Sequence, residues 1–197
     1  MHHKRVVLLL GLALFCCTSA LAQNPGPQFW RKVGCEPFEP RTELEKLDEL
    51  QRIVLVKAFT RITTVEVRGV RIDAVHMRPM SNVWRPAKGI VVVLRESGEE
   101  PKENRAFVDY EEIEALLNAI DTMSRVDETT TPLPGFEATY RTAGDFEINV
   151  FRQTQRGTAV TLRTGICDRT AQGLTLDELA KVRAMIQEAK TRLDELR

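Results

Sequence analysis

The chain has few of the residues that most often build metal centres and nucleophilic active sites. It contains three histidines and four cysteines among 197 residues, and aromatic residues make up only 6% of it. Its 28 basic and 28 acidic side chains give no net charge, whereas nucleic-acid-binding proteins usually carry a basic excess on one face. The composition therefore favours neither a metal centre nor nucleic-acid binding.

No short motif with a known chemical mechanism occurs in the sequence. A phosphate-binding loop, a dinucleotide-binding fingerprint, a paired CxxC zinc site and a nucleophile elbow are all absent. We therefore predict no cofactor, no bound metal and no catalytic residue, and the motifs identify no ligand-binding residue.

The longest apolar run lies at the N-terminus and has the pattern of a cleavable signal peptide. Lys4 and Arg5 provide a positive start, residues 6–17 carry no charge, and small residues precede Ala22. The apolar core is shorter than the roughly 20 residues that span a bilayer. We expect residues 1–22 to be removed after Ala22. The mature chain is then exported to the periplasm or the exterior and has no transmembrane segment.

Loss of the signal peptide removes much of the material for a reactive site. It takes away two basic residues, two cysteines and two histidines, which leaves 26 basic against 28 acidic side chains. Cys35 and Cys167 remain, and an oxidising compartment favours a disulfide between them. Two separate buried thiols are the alternative. His76 is the remaining histidine, and two distant cysteines with one histidine do not form an obvious zinc site.

The mature chain begins with an irregular segment and a short helix. Residues 23–40 are rich in proline and glycine and have no period, which predicts an extended tail. Thr42 is followed three residues later by Glu45, the pattern of a capping box, and a helix is expected from there to about Arg52. We interpret residues 41–197 as one α+β domain.

Alternating and continuous apolar residues then predict a sheet followed by a helix. Strands are expected over residues 53–67, 70–77, 90–94 and 105–108. The unbroken apolar run at 90–94 is typical of a central strand that is buried on both faces. Asp109 and Glu112 have the spacing of a second capping box. The apolar stripe of the helix that follows consists of Ile113, Leu116, Leu117, Ile120 and Met123.

The same order repeats after a linker at residues 127–135. Strands are expected over residues 136–141, 146–150 and 159–162, and a short further strand is left open within residues 167–173. Thr175 and Glu178 form the next capping box. The helical stripe after it consists of Leu179, Val182, Ile186, Ala189, Leu193 and Leu196.

The register of the two halves supports a duplication. Asp109 and Glu112 lie 66 residues before Thr175 and Glu178, and the buried stripes keep the same offset. We predict an α+β fold of two tandem βββα or ββββα units, at about residues 53–126 and 135–197. Each unit has an antiparallel sheet packed by a helix, and a pseudo-two-fold axis relates the two.

Few residues stand out as candidates for chemistry. His76 would have to serve any Cys–His or Ser–His pair, but its strand position is more typical of a packed or solvent-facing residue. A pair of glycosidase-like carboxylates is compatible with the composition, although most acidic residues suit helix N-termini. Trp30 and Trp84 lie in loop-like segments, where an exposed aromatic residue can mark a partner surface or can pack on the core.

Four arginines occupy strand positions and are candidates for binding an anion. Arg95 and Arg163 hold equivalent places in the two units. Arg141 and Arg152 lie on strands that neighbour the strand of Arg163. The alternative is that these arginines form cross-strand ion pairs with the glutamates at positions 137 and 147.

Parts of both units resemble a known family. Residues 107–120 (FVDYEEIEALLNAI), 136–142 (FEATYRT) and 174–190 resemble a family of exported bacterial proteins that has no assigned activity. The resemblance implies a folded exported domain and adds no chemistry. Tandem sheet-plus-helix units are also similar in topology to the Whirly and Pur-repeat proteins, which bind single-stranded nucleic acid through basic and aromatic sheet faces. The near-neutral charge, the low aromatic content and the export signal all depart from that pattern.

These observations favour a non-enzymatic exported protein that binds an envelope or extracellular protein or contributes to the envelope structure. One alternative is a periplasmic hydrolase with a carboxylate or His76 site. Another is a protein that binds an anion or single-stranded nucleic acid through its sheet faces. A hydrolase requires a concave pocket that gathers His76 or paired acids. A partner-binding module requires an exposed apolar patch around Trp84 or along a sheet edge.

Overall fold

A computed structural model describes residues 39–98, 101–127, 129–131, 133–153, 157–165 and 168–196. Several sequence predictions lie outside the described residues, namely the predicted signal peptide, nearly all of the tail, Trp30, Cys35 and Cys167. Signal cleavage and the disulfide therefore stay predictions.

The first half of the chain consists of a short helix, four strands and a longer helix. In chain order these are α1 Glu43–Asp48, β1 Leu55–Arg61, β2 Val70–Pro79, β3 Ala87–Arg95, β4 Glu103–Asp109 and α2 Tyr110–Met123. The strands form sheet A, in which each strand pairs antiparallel with the next one along the chain. This order is a simple meander.

The second half repeats the four strands and the helix. Its elements are β5 Glu137–Arg141, β6 Glu147–Gln153, β7 Gly157–Thr164, β8 Thr170–Leu174 and α3 Leu176–Asp194. Its strands form sheet B with the same sequential antiparallel order. The predicted α+β fold is confirmed, and β8 makes the unit ββββα.

One apolar core serves both units. The α2 helix packs against β3, β4 and β5, whereas α3 packs against β2 and β3 of sheet A and against β7 and β8 of sheet B. The predicted stripes of both helices are buried there, except that Leu196 is 44% exposed because it follows the end of α3. None of the helices in the described part of the chain is long and apolar enough to cross a membrane.

The two faces of sheet A are buried by different elements. Alternate residues of β3 (Ile90, Val92 and Leu94) enter the shared core, while Val91 and Val93 lie on the opposite, outer face. There they join a second apolar cluster under α1, with Leu44, Leu47, Val75, Met77 and Phe107. The prediction that residues 90–94 are buried on both faces is confirmed.

Two of the three predicted capping boxes form. Thr42 with Glu45 begins α1, and Thr175 with Glu178 begins α3. The box predicted at Asp109 and Glu112 is wrong, since the side chain of Asp109 does not cap its own helix. The reason is tertiary, because the docking of α1 on sheet A brings other backbone N–H groups to that carboxylate.

Two predicted element ends also differ. The first strand ends at Arg61 instead of near residue 67. Ile62 still donates its N–H to Ile72, but residues 63–66 form no pair with β2. The first helix ends at Asp48 instead of near Arg52. Arg52 has a left-handed backbone with φ of 61°, a conformation that no helix continues through.

Candidate partner-binding surface

The edge strand β1 is open on both faces. Six of its seven residues are exposed, and within the described residues it pairs only with β2. Phe59 is 69% exposed and Val56 is 48% exposed. Because successive side chains of a strand point to opposite faces, these two residues present apolar surface on both sides of the sheet edge.

The main chain of β1 also presents hydrogen-bonding groups at this edge. Val54 and Ile62, just beyond the two ends of β1, form main-chain hydrogen bonds with the β2 side at 2.8 and 2.9 Å. In an antiparallel pair, residues that bond to the partner alternate with residues whose N–H and C=O point away. The outward groups therefore belong to the odd-numbered residues, among them Lys57, Phe59 and Arg61.

A groove of about 510 Å³ lies beside β1 on the outer face of sheet A. Lys57, Phe59 and Arg61 line its β1 side. Its apolar lining residues are Val75, Met77, Val91, Val93 and Phe107. Lys57 pairs with Asp48, and Arg61 Nε lies 3.4 Å from a carboxylate oxygen of Asp73. We call this feature the outer groove, and it combines an apolar lining with a charged rim.

Exposed apolar side chains continue from β1 into the loop between β2 and β3. Met80 donates its backbone N–H to the carbonyl of Val54 at 2.8 Å, and these two side chains are 64% and 67% exposed. Val83 and Trp84 follow at 83% and 42%. Exposed apolar surface thus occurs at both places that the sequence singled out for a partner, the sheet edge and Trp84.

A second groove, of about 710 Å³, contains His76. Trp84, Lys88 and three acidic residues, Glu43, Asp109 and Glu111, also line it. Within the described residues, the imidazole of His76 forms no hydrogen bond and no ion pair. Lys88 is held by structural contacts, since its Nζ donates to the carbonyl of Leu193 at 2.8 Å and lies 4.4 Å from the centre of the Tyr110 ring.

Asp109, the most buried acid of this groove, also has a structural role. Its carboxylate accepts the backbone N–H groups of Glu43 and Leu44 at 2.7 and 3.1 Å. Burial raises the pKa of Asp109, and these two hydrogen bonds oppose the rise. Burial likewise raises the pKa of Glu112, whose carboxylate accepts the N–H of Ala143 at 3.0 Å. These acids therefore serve helix and turn termini.

The structure brings only some of the candidate arginines together. Arg141 and Arg163 both bind Glu147 on the outer face of sheet B, the face away from the shared core. Arg152 differs from Glu147 by an odd number of residues along β6 and so lies on the other face. Arg95 belongs to sheet A. The predicted pairing with Glu137 is wrong, because Glu137 accepts its hydrogen bond from Asn149.

Sequence reasoning missed two residues of these surfaces. One local pattern could have indicated the exposure of Phe59. It lies between Lys57 and Arg61, and basic residues are common on the edge strands of sheets. Arg169 lies in the turn before β8, and its Nη1 is 3.7 Å from Glu147. No local pattern identifies Arg169, because its position depends on the pairing of β7 with β8.

No protein-family model, curated protein or solved structure matches the chain. Among the described residues, no group of three or more histidine, cysteine or acidic side chains is placed to hold a metal ion. The candidate site therefore rests on its own geometry, in which β1 and the outer groove combine exposed apolar side chains with outward main-chain hydrogen-bonding groups.

Proposed function

We propose that the protein is a non-enzymatic exported binding module that holds an extended segment of a partner protein at the free edge of β1. The observation that carries the proposal is the exposure of six of the seven β1 residues at an edge that is unpaired within the described chain. Strand addition uses such an edge, because main-chain hydrogen bonds provide affinity and alternate side chains provide specificity.

The side chains of β1 define the chemistry of the added segment. On the inner face, Val56, Ala58 and Thr60 are uncharged, so the segment places apolar residues beside them. On the outer face, Lys57 and Arg61 are basic, and their acidic partners leave them 43% and 56% exposed. Acidic residues directly opposite these two positions are favourable. The partner segment is thus extended, apolar on one face and acidic on the other.

The signal peptide at residues 1–22 supports export, and the partner is accordingly a periplasmic, envelope or extracellular protein. Exposure of Phe59 and Val56 at an edge is an aggregation liability for an isolated chain. A partner strand removes that liability by covering both side chains.

A proline in β1 tests the proposal. Lys57→Pro removes an outward N–H and leaves the ladder between β1 and β2 intact, because proline is tolerated at outward positions of edge strands. Thr139→Pro is the matched control, since Thr139 has the same outward orientation on β5, the edge strand of sheet B. Wild type and both variants, purified after export with their own leader, are used to capture proteins from the envelope fraction of the source cells. Hydrogen exchange then locates the surface that each captured protein protects.

The proposal expects a captured protein that slows exchange of the N–H groups of Lys57, Phe59 and Arg61. Its capture is lost with Lys57→Pro and retained with Thr139→Pro. Protection of another surface, or capture that is insensitive to Lys57→Pro, contradicts the proposal. Sedimentation measures whether the wild type and Lys57→Pro form dimers. The proposal is also contradicted if a second copy of this chain, and no other protein, occupies the edge of β1.

A second candidate function is hydrolysis, because His76 lines the same groove as Glu43, Asp109 and Glu111. Its test is turnover of chromogenic esters and glycosides by the purified protein. Activity that disappears with His76→Ala and persists with Arg78→Ala supports a hydrolase. Equal rates for wild type and His76→Ala contradict it.

A further inference from the structure

The outer face of sheet B carries a cluster of three arginines around one glutamate. Arg141 donates through Nε to Glu147 at 2.9 Å, and its Nη2 also contacts this carboxylate. Arg163 Nη1 donates to the other oxygen at 3.0 Å, and Arg169 Nη1 lies 3.7 Å away. The carboxylate is 5% exposed, while the three arginine side chains are 47%, 39% and 41% exposed. We call these three arginines the arginine cluster.

The arginine cluster has more positive charge and more donors than Glu147 can use. Three guanidinium groups face the carboxylate of Glu147, and Glu137 beside Asn149 adds a second negative charge on this face, so one positive charge is in excess. Each guanidinium has five N–H donors, and no other acceptor in the described part of the chain contacts those of the cluster. Burial raises the pKa of Glu147, but hydrogen bonds from Arg141 and Arg163 together with the charges of Arg141 and Arg169 lower it by more, so the net shift is downward. Glu147 is therefore ionised at neutral pH and holds the guanidinium groups in place.

The duplicated fold does not require this cluster. On sheet A, the equivalent outer face carries Val91 and Val93 and is covered by α1. On sheet B, no residue belongs to that second apolar cluster, and the residues that correspond to Val91 and Val93 are Ala159 and Thr161. The outer face of sheet B therefore lacks the apolar cluster that α1 covers on sheet A.

A second polar group lies beside the cluster. Asn149 is two residues from Glu147 on the same face of β6, about 7 Å along the strand. Its Nδ2 donates to Glu137, while its Oδ1 is buried and has no hydrogen-bond partner among the described residues. A buried acceptor without a donor is unfavourable, and a ligand hydroxyl would satisfy it once the side chains that cover Asn149 move aside.

We propose that the outer face of sheet B binds a sugar that carries an acidic group. The arginine cluster binds the carboxylate or phosphate oxygens, and Asn149 accepts a hydrogen bond from a hydroxyl of the same ligand. Guanidinium groups suit both oxyanions, since their paired donors match the spacing of the oxygens. Glu147 has a positioning role, because it pre-organises the arginines before the ligand arrives.

A single nucleic-acid strand fits this face less well. Such strands bind largely by stacking bases on aromatic side chains. Among the described residues of sheet B, Phe151 is the one aromatic residue on the outer face. The arginine cluster can hold a small acidic sugar through its charged group instead.

A binding titration tests the site. Glucuronate, glucose 6-phosphate and glucose are added to the wild-type protein at constant ionic strength, and binding is measured by calorimetry and by the NMR shifts of β6 and β7. We expect glucuronate or glucose 6-phosphate to bind and glucose to fail, and the stronger of the two acids identifies the preferred oxyanion. Arg163→Gln should weaken binding about ten- to hundredfold, as expected for the loss of a charged hydrogen bond.

The duplication provides the matched control, because Arg95 holds the place of Arg163 on sheet A. Arg95→Gln should leave the affinity unchanged. Glu147→Gln should weaken binding while the unliganded fold persists, which circular dichroism checks. The proposal is overturned if neither acid binds, or if glucose binds as tightly as the acids do. It is also overturned if Arg95→Gln and Arg163→Gln lower the affinity equally, or if a single-stranded oligonucleotide binds more tightly than either acid.

Discussion

The backbone N–H of Glu43 donates a hydrogen bond to the side chain of Asp109 at 2.7 Å, across 66 residues of sequence. Asp109 also accepts from the next residue, Leu44, at 3.1 Å. Thr42 satisfies the N–H of Glu45, so the first three N–H groups of α1 all have partners. This relationship fixes α1 on sheet A and thereby covers the second apolar cluster.

Removal of the Asp109 carboxylate should loosen α1. We expect Asp109→Ala to lower the free energy of unfolding by about 1–2 kcal/mol, the usual cost of losing side-chain capping of a helix. Urea unfolding measures the change, and hydrogen exchange should accelerate in residues 43–48. Glu111→Ala is the control, because Glu111 is exposed two residues away and should change stability by less than about 0.5 kcal/mol. Equal effects of the two variants would count against the capping role.

Stability should depend on pH through two carboxyl groups, Glu147 and Asp109, whose pKa values shift in opposite directions. The lowered pKa of Glu147 means that its contribution is present above about pH 4.3, the ordinary value for glutamate. That contribution is lost as the pH falls through the lowered pKa of the folded state. The raised pKa of Asp109 acts in reverse. The part of its contribution that depends on protonation is present below about pH 3.9 and is lost as the pH rises through the raised value, while the hydrogen bonds to α1 remain.

Two amide variants separate these contributions. Glu147→Gln should flatten the acid side, below about pH 5, of a plot of urea midpoint against pH. Asp109→Asn should remove the decrease in stability that accompanies ionisation of Asp109 as the pH rises. Parallel curves for the wild type and Glu147→Gln would show that the pairing of Glu147 with the arginine cluster does not cause the loss of stability at low pH.

The end of α3 predicts a contrast between two leucines. Leu193 is 1% exposed and Leu196 is 44% exposed. Leu193→Ala should cost about 2–5 kcal/mol, because it leaves a cavity in the core. Leu196→Ala should cost less than about 0.5 kcal/mol. Thermal unfolding of the two variants measures the loss of stability in each. Comparable losses would mean that the buried stripe of α3 extends to Leu196.

Gly144 allows a close approach between the two sheets. A Cβ at this position would lie 2.0 Å from the carbonyl oxygen of Phe107, so the backbone must move to admit it. Gly144→Ala should destabilise the protein by about 1–3 kcal/mol, as other overpacked sites do. Gly98→Ala is the control, because a Cβ there meets nothing within 4 Å. Urea midpoints compare the two variants, and a neutral Gly144→Ala would contradict this packing.

Local patterns in the sequence determined most of the secondary structure. The period of two in residues 70–77 and 146–150 and the stripes from Ile113 and Leu179 depend on neighbours a few residues apart. Those interactions are the same in any fold, which is why the strands, helices and duplicated order could be predicted. The period of two also places Arg152 on the face of Ile148 and Val150.

The tertiary structure alone decided which surfaces stay open. Two sheets with the same strand order differ because α1 covers the outer face of sheet A, and no local pattern specifies where a six-residue helix docks. That docking diverts Asp109 from its own helix to Glu43. The assembled fold also leaves β1 exposed beside the outer groove and Glu147 among its arginines on the uncovered face of sheet B. Such contacts join residues tens of positions apart, so their energies depend on the assembled fold and leave no periodic signal along the chain.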